Sequence, residues 1–318
     1  MTRRPAPPRA PDRAFRGSRP AKIRRMQSTR RAFLGQGGLA LAGTALWSKT
    51  AAAASPMNLP IGFQAYEIIA DLNKDWMGTL KRMSGFGYAF IDMVATGPYS
   101  ARTARDLKAS LDDAGLGCHN CHWGYGAFNT SYGPTITYSQ ALGVTSVVCG
   151  PGPRRKTADD WKFMGDELNR FGAMTARDGL LLAYHNHEIE FQKTPDGQIP
   201  YDILMTTTDP KLVRFQIDVG NLTFGGGNAY DYLAKYPTRY FSIHAKDFTP
   251  GKAAVPVGSG TLDWRRIFAL AKAAGIRDIV SEVGAYNAST LSGPLEAPAL
   301  EIIELFRLSY VFLNDFKD

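Results

Sequence analysis

The chain has 318 residues, 44% of them hydrophobic, which is enough to build one large core or two ordinary ones. Its formal net charge of +8 reflects 37 Lys or Arg residues against 29 Asp or Glu residues. Twelve of those basic residues, but only one acidic residue, lie in residues 1–54, so the rest of the chain is slightly acidic. Composition therefore gives no support for a basic nucleic-acid-binding surface, and we predict no nucleic-acid partner.

Residues 1–54 have the pattern of an N-terminal extension followed by an export signal. The segment Ser-Thr-Arg-Arg-Ala-Phe-Leu at 28–34 resembles the twin-arginine (Tat) signal. The apolar run at 35–47 is too short and too rich in glycine to span a bilayer, and four alanines at 51–54 suit cleavage. We predict Tat-dependent export, a periplasmic or secreted protein and no stable membrane anchor. A disordered basic tail is the alternative, and Met26 is an alternative start.

Residues 55–318 alternate eight strand patterns with eight helix patterns, without hairpin signals between neighbouring strands. The predicted strands span Leu59–Tyr66, Tyr88–Val94, Gly117–Trp123, Ser146–Cys149, Leu180–His185, Val213–Asp218, Tyr240–Ala245 and Asp278–Val283. The predicted helices span Asp75–Ser84, Ala101–Ala114, Tyr132–Leu142, Asp159–Arg177, Ile199–Thr206, Ala229–Lys235, Asp263–Ala274 and Ala297–Asn314. Glycines at 115, 143, 179 and 275 follow helix patterns, as left-handed helix caps do. The sequence predicts the α/β class and a single (β/α)8 TIM barrel in one domain.

The fifth predicted strand continues into a polar cluster between Leu180 and Phe191. Alternation along a strand would place His185 and His187 on one side and Asn186 and Glu188 on the other. A buried strand has no use for two imidazoles on one face unless something there binds them. The pattern therefore indicates a ligand site.

The next three predicted strands also end in ligand-type residues, namely Asp218, His244 and Glu282. The ends of barrel strands converge at the C-terminal mouth, where the sites of such barrels lie. Buried carboxylates and imidazoles are costly without a compensating cation, and mixed oxygen and nitrogen ligands suit one divalent Mn, Co, Fe, Ni or Zn ion. Each residue alone is more simply explained as a satisfied buried polar group. Together with His185, they favour one shared metal site.

Several motifs resemble the xylose isomerase-like barrel superfamily, and within it the sugar phosphate isomerases/epimerases, relatives of inosose isomerases and dehydratases. They lie at 184–188 (Tyr-His-Asn-His-Glu), 217–220 (Ile-Asp-Val-Gly), 243–247 (Ile-His-Ala-Lys-Asp), 281–282 (Ser-Glu), 61–66 and 85–92. The resemblance covers essentially all of 59–315. It implies one metal ion held by the last four strands, commonly through Glu, Asp, His and Glu.

Asp218, His244 and Glu282 match that ligand set by residue type, but His185 stands where many epimerases have Glu. Those epimerases use the carboxylates of the fifth and eighth strands as an acid/base pair. An imidazole also suits proton transfer at neutral pH. We therefore predict that His187 and Glu282 are catalytic.

The fourth ligand is left open between His185, His187, Glu188 and Glu190, and either glutamate is an alternative base. Lys246 is a further catalytic candidate, because its charge would neutralise a developing oxyanion; pairing with Asp247 on a loop is the alternative.

Three further residues, Glu67, His122 and Asn221, are candidate substrate-binding residues near the strand ends. A plain supporting or surface role is the alternative for each. His122 also closes the motif Cys-His-Asn-Cys-His at 118–122, which matches covalent haem attachment. An inner barrel strand has no room for a haem, so buried thiols are preferred over haem, a disulfide or a small zinc site. Cys149 makes the cysteine count odd.

Together these features predict a metal-dependent isomerase or epimerase of an unphosphorylated sugar, keto-sugar or cyclitol. The reaction would abstract a proton next to a carbonyl through a metal-stabilised enediolate. An unphosphorylated substrate is expected because sugar phosphates are scarce outside the cytoplasm. Alternatives are a lyase or dehydratase of 3-keto glycosides or inososes, a non-catalytic periplasmic sugar-binding protein, and an endonuclease-like enzyme needing more metals. The sequence leaves the oligomeric state open.

Overall fold

The computed structural model describes residues 55–153, 155–251, 253–284 and 300–317. The predicted extension and export signal at 1–54 lie outside the described residues, as does the start of the last predicted helix at 297–299. Every helix in the described ranges is too short or too polar to cross a membrane.

In the described part of the chain, eight parallel strands close into a barrel, which confirms the predicted fold. The barrel strands are β1 (Ile61–Gln64), β2 (Phe90–Val94), β3 (Gly117–Trp123), β4 (Ser146–Cys149), β5 (Leu181–His185), β6 (Val213–Asp218), β7 (Tyr240–Ala245) and β10 (Asp278–Ser281). They follow one another around the barrel in chain order, and β10 pairs with both β7 and β1. A small antiparallel ribbon of β8 (Asp247–Phe248) and β9 (Ala254–Val255) follows β7.

Helices surround the barrel between successive strands. They are α1 (Ile69–Lys74), α2 (Trp76–Phe86), α3 (Gly97–Ser100), α4 (Ala104–Ala114), α5 (Tyr125–Thr130), α6 (Tyr132–Leu142), α7 (Ala158–Arg177), α8 (Pro200–Thr207), α9 (Val219–Phe224), α10 (Ala229–Lys235), α11 (Trp264–Ala273) and α12 (Ile302–Asp315). The sequence pattern missed the short helices α1, α3, α5 and α9, which come directly after β1, β2, β3 and β6. Of these four helices, α9 contributes Asn221 to the cavity at the C-terminal mouth.

The helix ends follow local chemistry. Thr157 and Asp160 form a reciprocal capping box at the start of α7, the longest helix in the described ranges. The predicted glycine caps at 115, 143, 179 and 275 all have φ between 71° and 78°, a conformation that glycine adopts without strain. That prediction is confirmed.

Strand β6 illustrates how alternation positions the functional groups. Its apolar members pack into the main hydrophobic core under the helices: Val213, Phe215 and Ile217. Its polar members alternate with them: Arg214, Gln216 and Asp218. One strand therefore presents an arginine near the N-terminal mouth, an amide in the middle and a carboxylate at the C-terminal mouth.

Candidate metal centre and active site

A cavity of about 760 Å³ opens at the C-terminal ends of the barrel strands. The predicted site residues that line it are Glu67, His122, His185, His187, Asn221, Lys246 and Glu282. Asp218 and His244 are fully buried. All of the predicted site residues thus gather at one mouth of the barrel.

Four of these residues form a buried cluster that has the composition of a metal site. His185, Asp218, His244 and Glu282 each offer a ligand atom, and these atoms lie within 4.8 Å of one another. His122 forms a second, overlapping group with His185 and His244. Of the residues that the sequence left open for the fourth position, His185 is the one that lies in this cluster.

The two carboxylate oxygens of Asp218 have different surroundings. Its Oδ1 accepts from the backbone N–H of Asn221 at 2.8 Å and so caps α9. Its Oδ2 is buried and has no hydrogen-bond partner among the described residues. Burial, with the nearby charge of Glu282, raises the pKa of Asp218 to about 7. A buried oxygen without a donor, inside a cluster of ligand atoms, fits a cation.

The hydrogen bonds around His185 fix which ring nitrogen is available. The Asp92 carboxylate can only accept, so the Gln216 group at 2.9 Å from it is the amide nitrogen. The Gln216 Oε1 then faces His185 Nδ1 at 3.0 Å, which must carry the proton. The lone pair is left on Nε2. Burial and the neighbouring imidazoles lower the pKa of His185, so the ring is neutral, as a metal ligand requires.

His244 lies between two carboxylates. Its Nε2 is 2.7 Å from Asp92 Oδ2 and its Nδ1 is 2.6 Å from Glu282 Oε2. Burial lowers the pKa of His244, but the two carboxylates outweigh it and raise that pKa to about 10. A carboxylate behind the second ring nitrogen is the usual support of a metal-binding histidine.

Asp92, at the centre of β2, was missed as a site residue. Its Oδ2 also lies 3.1 Å from His122 Nε2, so this one carboxylate contacts His122, His244 and Gln216. Burial raises the pKa of Asp92, but the two histidines outweigh it and hold the pKa below its usual range. The apolar residues before Asp92 resemble those before Asp218, and that signal was available in the sequence.

Lys246 binds Glu282 rather than Asp247. Its Nζ donates to Glu282 Oε1 at 2.9 Å in a buried ion pair. Burial raises the pKa of Glu282, but Lys246 and His244 outweigh it and hold that pKa well below its usual range. The alternative pairing with Asp247 is wrong, because that carboxylate accepts hydrogen bonds from Trp264 Nε1 at 2.7 Å and from the backbone N–H groups of residues 258, 260, 261 and 262.

The residues after β5 do not continue the alternation. Since the strand ends at His185, both His187 and Glu188 line the cavity, and the expectation that Glu188 lies on the other side is wrong. Asn186 instead holds the backbone of Asp218. The carboxylate of Glu190 is buried and occupied by the Tyr184 hydroxyl at 2.5 Å and the His187 N–H at 2.9 Å. Glu190 is therefore neither a ligand nor a base here.

The carboxyl of Glu67 lies on the wall of the cavity contributed by the loop after β1. Gly284 lies against it; a Cβ there would come within 2.2 Å of the Glu67 carboxyl carbon, and its φ of 125° also favours glycine. Burial, with the charge of Glu282, outweighs Lys246 and raises the pKa of Glu67 to about 7. Asn221 reaches the backbone of Asn186 at 3.4 Å.

The three cysteines, Cys118, Cys121 and Cys149, are buried free thiols. Burial raises their pKa values, which disfavours the thiolate form that binds metals. The two histidines of the 118–122 motif point to different ends of the barrel, His122 to the upper cavity and His119 to the lower end. The three thiols form no disulfide in the described structure, and their raised pKa values count against the thiolate-zinc alternative.

Solved structures with similar folds include a sugar phosphate isomerase/epimerase from Parabacteroides distasonis. It is 24% identical with a TM-score of 0.69, and the match covers 85% of this chain and 98% of that one. The IOLI protein with a bound zinc atom is 16% identical with a TM-score of 0.61, covering 81% of this chain and 98% of that one. These structural similarities show that the chain has the same fold as those two proteins.

A curated relative, the inosose dehydratase of Clostridium perfringens, is 34% identical over 94 residues. The match covers 30% of this chain and 31% of that relative, so it spans only about a third of either protein. The profile of the xylose isomerase-like TIM barrel family matches residues 80–308, most of the chain. The chain belongs to the xylose isomerase-like TIM barrel family.

Proposed function

We propose that this protein is a divalent-metal-dependent isomerase or epimerase of an unphosphorylated sugar, keto-sugar or cyclitol. The observation that carries the proposal is the buried cluster of His185, Asp218, His244 and Glu282 beside a cavity of about 760 Å³. That volume lies in the range of small-molecule sites. A sugar-binding module without chemistry would have no need of two carboxylates and two imidazoles buried together.

The metal would be held by His185 Nε2, the unpartnered Asp218 Oδ2, His244 and Glu282. When bound, it supplies a Lewis acid that polarises the carbonyl of the substrate. Asp92 holds His244 directly, and it holds His185 through Gln216. Lys246 keeps Glu282 ionised and in place. The ligands are thus oriented before the ion arrives, and metal binding would release the proton between His244 Nδ1 and Glu282 Oε2 while Nε2 stays on Asp92.

His187 is the proposed base. Its ring lines the cavity next to the cluster, with a centroid distance of 5.1 Å to His185. The backbone N–H of His187 donates to the Glu190 carboxylate. The Nδ1 of His187 has no hydrogen-bond partner in the described ranges. The proton next to the substrate carbonyl would pass to this imidazole, and return of the proton at a different carbon or face gives the isomer or epimer.

Dehydration is the second candidate, and Glu67 favours it. With a pKa of about 7, Glu67 is about half protonated at neutral pH and largely protonated below it, and it faces the same cavity as His187. A neutral carboxylic acid can protonate a departing hydroxyl, which dehydration requires in addition to a base. His185 in place of a second carboxylate also weakens the two-carboxylate arrangement of epimerases.

The deciding experiment incubates the metal-loaded protein in D2O with an inosose, a 3-keto glucoside and free ketohexoses. Deuterium incorporation next to the carbonyl with an isomeric product, followed by NMR, supports isomerisation or epimerisation. A conjugated enone absorbing in the ultraviolet supports dehydration. The Asp218→Asn variant is the matched control, because Asn preserves the helix cap but weakens metal binding. A metal-loaded protein that neither exchanges nor dehydrates any of these compounds would contradict both candidates.

Export remains a separate proposal that rests on residues 1–54. Fusing these residues to a reporter that folds in the cytoplasm should send it to the periplasm of a Tat-competent bacterium. Replacing Arg30 and Arg31 by Lys should block that transport. Transport that is unaffected by the double replacement would overturn the twin-arginine prediction.

A further inference from the structure

A second cavity, of about 440 Å³, opens at the N-terminal mouth of the barrel, and we name it the lower cavity. Its wall contains His119 from β3, Ser146 from β4, Leu181 from β5, Arg214 from β6, Phe241 from β7 and Asp278 from β10. Arg277, directly before β10, completes its charged groups. This cavity lies at the opposite end of the strands from the metal cluster and shares no lining residue with the upper cavity.

The two guanidinium groups of the lower cavity have N–H donors without hydrogen-bond partners among the described residues. Arg214 donates from Nη2 to the backbone carbonyl of Tyr240 at 3.1 Å, but its Nε is buried without a hydrogen-bond partner in the described ranges. The exposed guanidinium of Arg277 has no hydrogen bond or ion pair within the part of the chain that the structure describes. Burial and the charge of Arg277 lower the pKa of Arg214.

The carboxylate in this wall does not balance the arginines. Asp278 Oδ1 lies 3.0 Å from His119 Nδ1, and the His119 ring stacks on Phe90 at 3.9 Å between centroids. Asp278 is thus engaged by an imidazole that is itself fixed by packing. Two guanidiniums therefore face one carboxylate, and the lower cavity carries a net positive charge.

We propose that the lower cavity binds a phosphate-type oxyanion between Arg214 and Arg277, either inorganic phosphate or the phosphate group of a small metabolite. A guanidinium can donate two parallel hydrogen bonds to two oxygens of a phosphate. Two guanidiniums on one wall of the cavity therefore suit a tetrahedral anion. The Nε of Arg214 and the guanidinium of Arg277, both without a hydrogen-bond partner among the described residues, supply the donors. The cavity volume also lies within the range of small-ligand pockets. This site is independent of the sugar chemistry at the other mouth.

The test titrates the intact metal-loaded protein with inorganic phosphate and, separately, with glucose 6-phosphate, using calorimetry in dilute chloride buffer. Saturable binding at one site is expected for both. Equal affinities identify the free oxyanion as sufficient, whereas tighter binding of glucose 6-phosphate that is lost in Arg277→Gln identifies a phosphorylated small molecule as the ligand of the lower cavity. Arg277→Gln removes charge-assisted hydrogen bonds and should weaken binding by about tenfold or more.

Arg105→Gln is the matched control, since Arg105 is an exposed arginine of α4 that lines neither cavity. It should leave binding unchanged, and circular dichroism checks that both variants fold. Binding should also survive removal of the metal by a chelator. The proposal is overturned if no saturable binding occurs, if both arginine variants bind equally well, or if binding depends on the metal but not on Arg277.

Discussion

The two mouths of the barrel are built from the same strands but carry opposite electrostatic character. Strand β6 has Asp218 at its upper end and Arg214 near its lower end, and β3 sends His122 and His119 to the two mouths. Near the upper mouth, the carboxylates Asp92, Glu282 and Asp218 outnumber the two cations beside them, Lys246 and His244. At the lower mouth, arginines outnumber carboxylates. A period-two pattern can therefore give one barrel a cation site and an anion site.

The two mouths also differ in how tightly their groups are held. Asp218 and His244 have no exposed surface, and the ligand cluster is connected through Asp92, Gln216 and Lys246. Arg277, by contrast, is exposed. Because unpaired groups cost most when buried, substitutions should have large effects at the upper mouth and small effects at the lower one.

The largest effect is expected from Asp218→Asn. The amide can still cap α9, so the fold should survive, but the charged ligand is lost. Metal content should fall from near one ion per chain to near zero, and activity by more than about 100-fold, beyond the range seen for supporting residues. Elemental analysis and the D2O assay measure the two quantities together. If this variant retains full metal content, Asp218 is not a ligand and the proposed centre is wrong.

Asp92→Asn should have the next largest effect. Asp92 does not line the cavity, but it orients His244 and, through Gln216, His185, and it also contacts His122. Loss of such support typically lowers metal affinity by about 10–100-fold. Competition against a fluorescent chelator measures this without any substrate. Asp113→Asn, at an exposed carboxylate paired with Lys81, is the control and should change nothing.

A pH-dependent effect is expected from Glu67 in the metal-free protein. Its pKa rises from 4.5 to about 7 on folding. The stability associated with the neutral carboxyl is fully present below 4.5 and is lost as the pH rises through about 7. The free energy of unfolding of Glu67→Gln, measured relative to that of the wild type, should therefore be higher at pH 8 than at pH 5 by on the order of 2 kcal/mol. Urea unfolding of both proteins at pH 5 and at pH 8 measures this change. A difference in the free energy of unfolding that is the same at both pH values would contradict the raised pKa.

The sequence was sufficient to predict the barrel and the gathering of the four candidate ligand residues. Periodicity locates each strand, and closure brings the ends of parallel strands together, so His185, Asp218, His244 and Glu282 must meet at one mouth. Bounds were least accurate at the first strand, predicted as Leu59–Tyr66 and observed as Ile61–Gln64, because alternation gives no signal for where a strand ends.

The hydrogen-bond network could not be predicted in the same way. Asp92 contacts Gln216 and His244 across the barrel, at separations of 124 and 152 residues. Such contacts depend on the stagger between strands, and the β2–β3 pairing shifts register between Ile91 and Asp92. A residue pattern reports which face a side chain takes, not which side chain it meets across the interior. The pairing of Lys246 with Glu282 instead of Asp247 was missed for the same reason.

The smallest effect on stability is expected from Arg277→Gln at the lower mouth. This substitution should stabilise the protein. Without an anion, Arg277→Gln removes one of two like charges and should raise the free energy of unfolding by about 0.2–0.5 kcal/mol at low salt. The gain should vanish in about 1 M NaCl, where the screening length is near 3 Å, and Arg105→Gln should show no gain at either salt concentration. Urea titrations measure all three proteins. Destabilisation by Arg277→Gln would mean that Arg277 already has a stabilising partner, and the positive imbalance that distinguishes the lower mouth from the upper one would not exist.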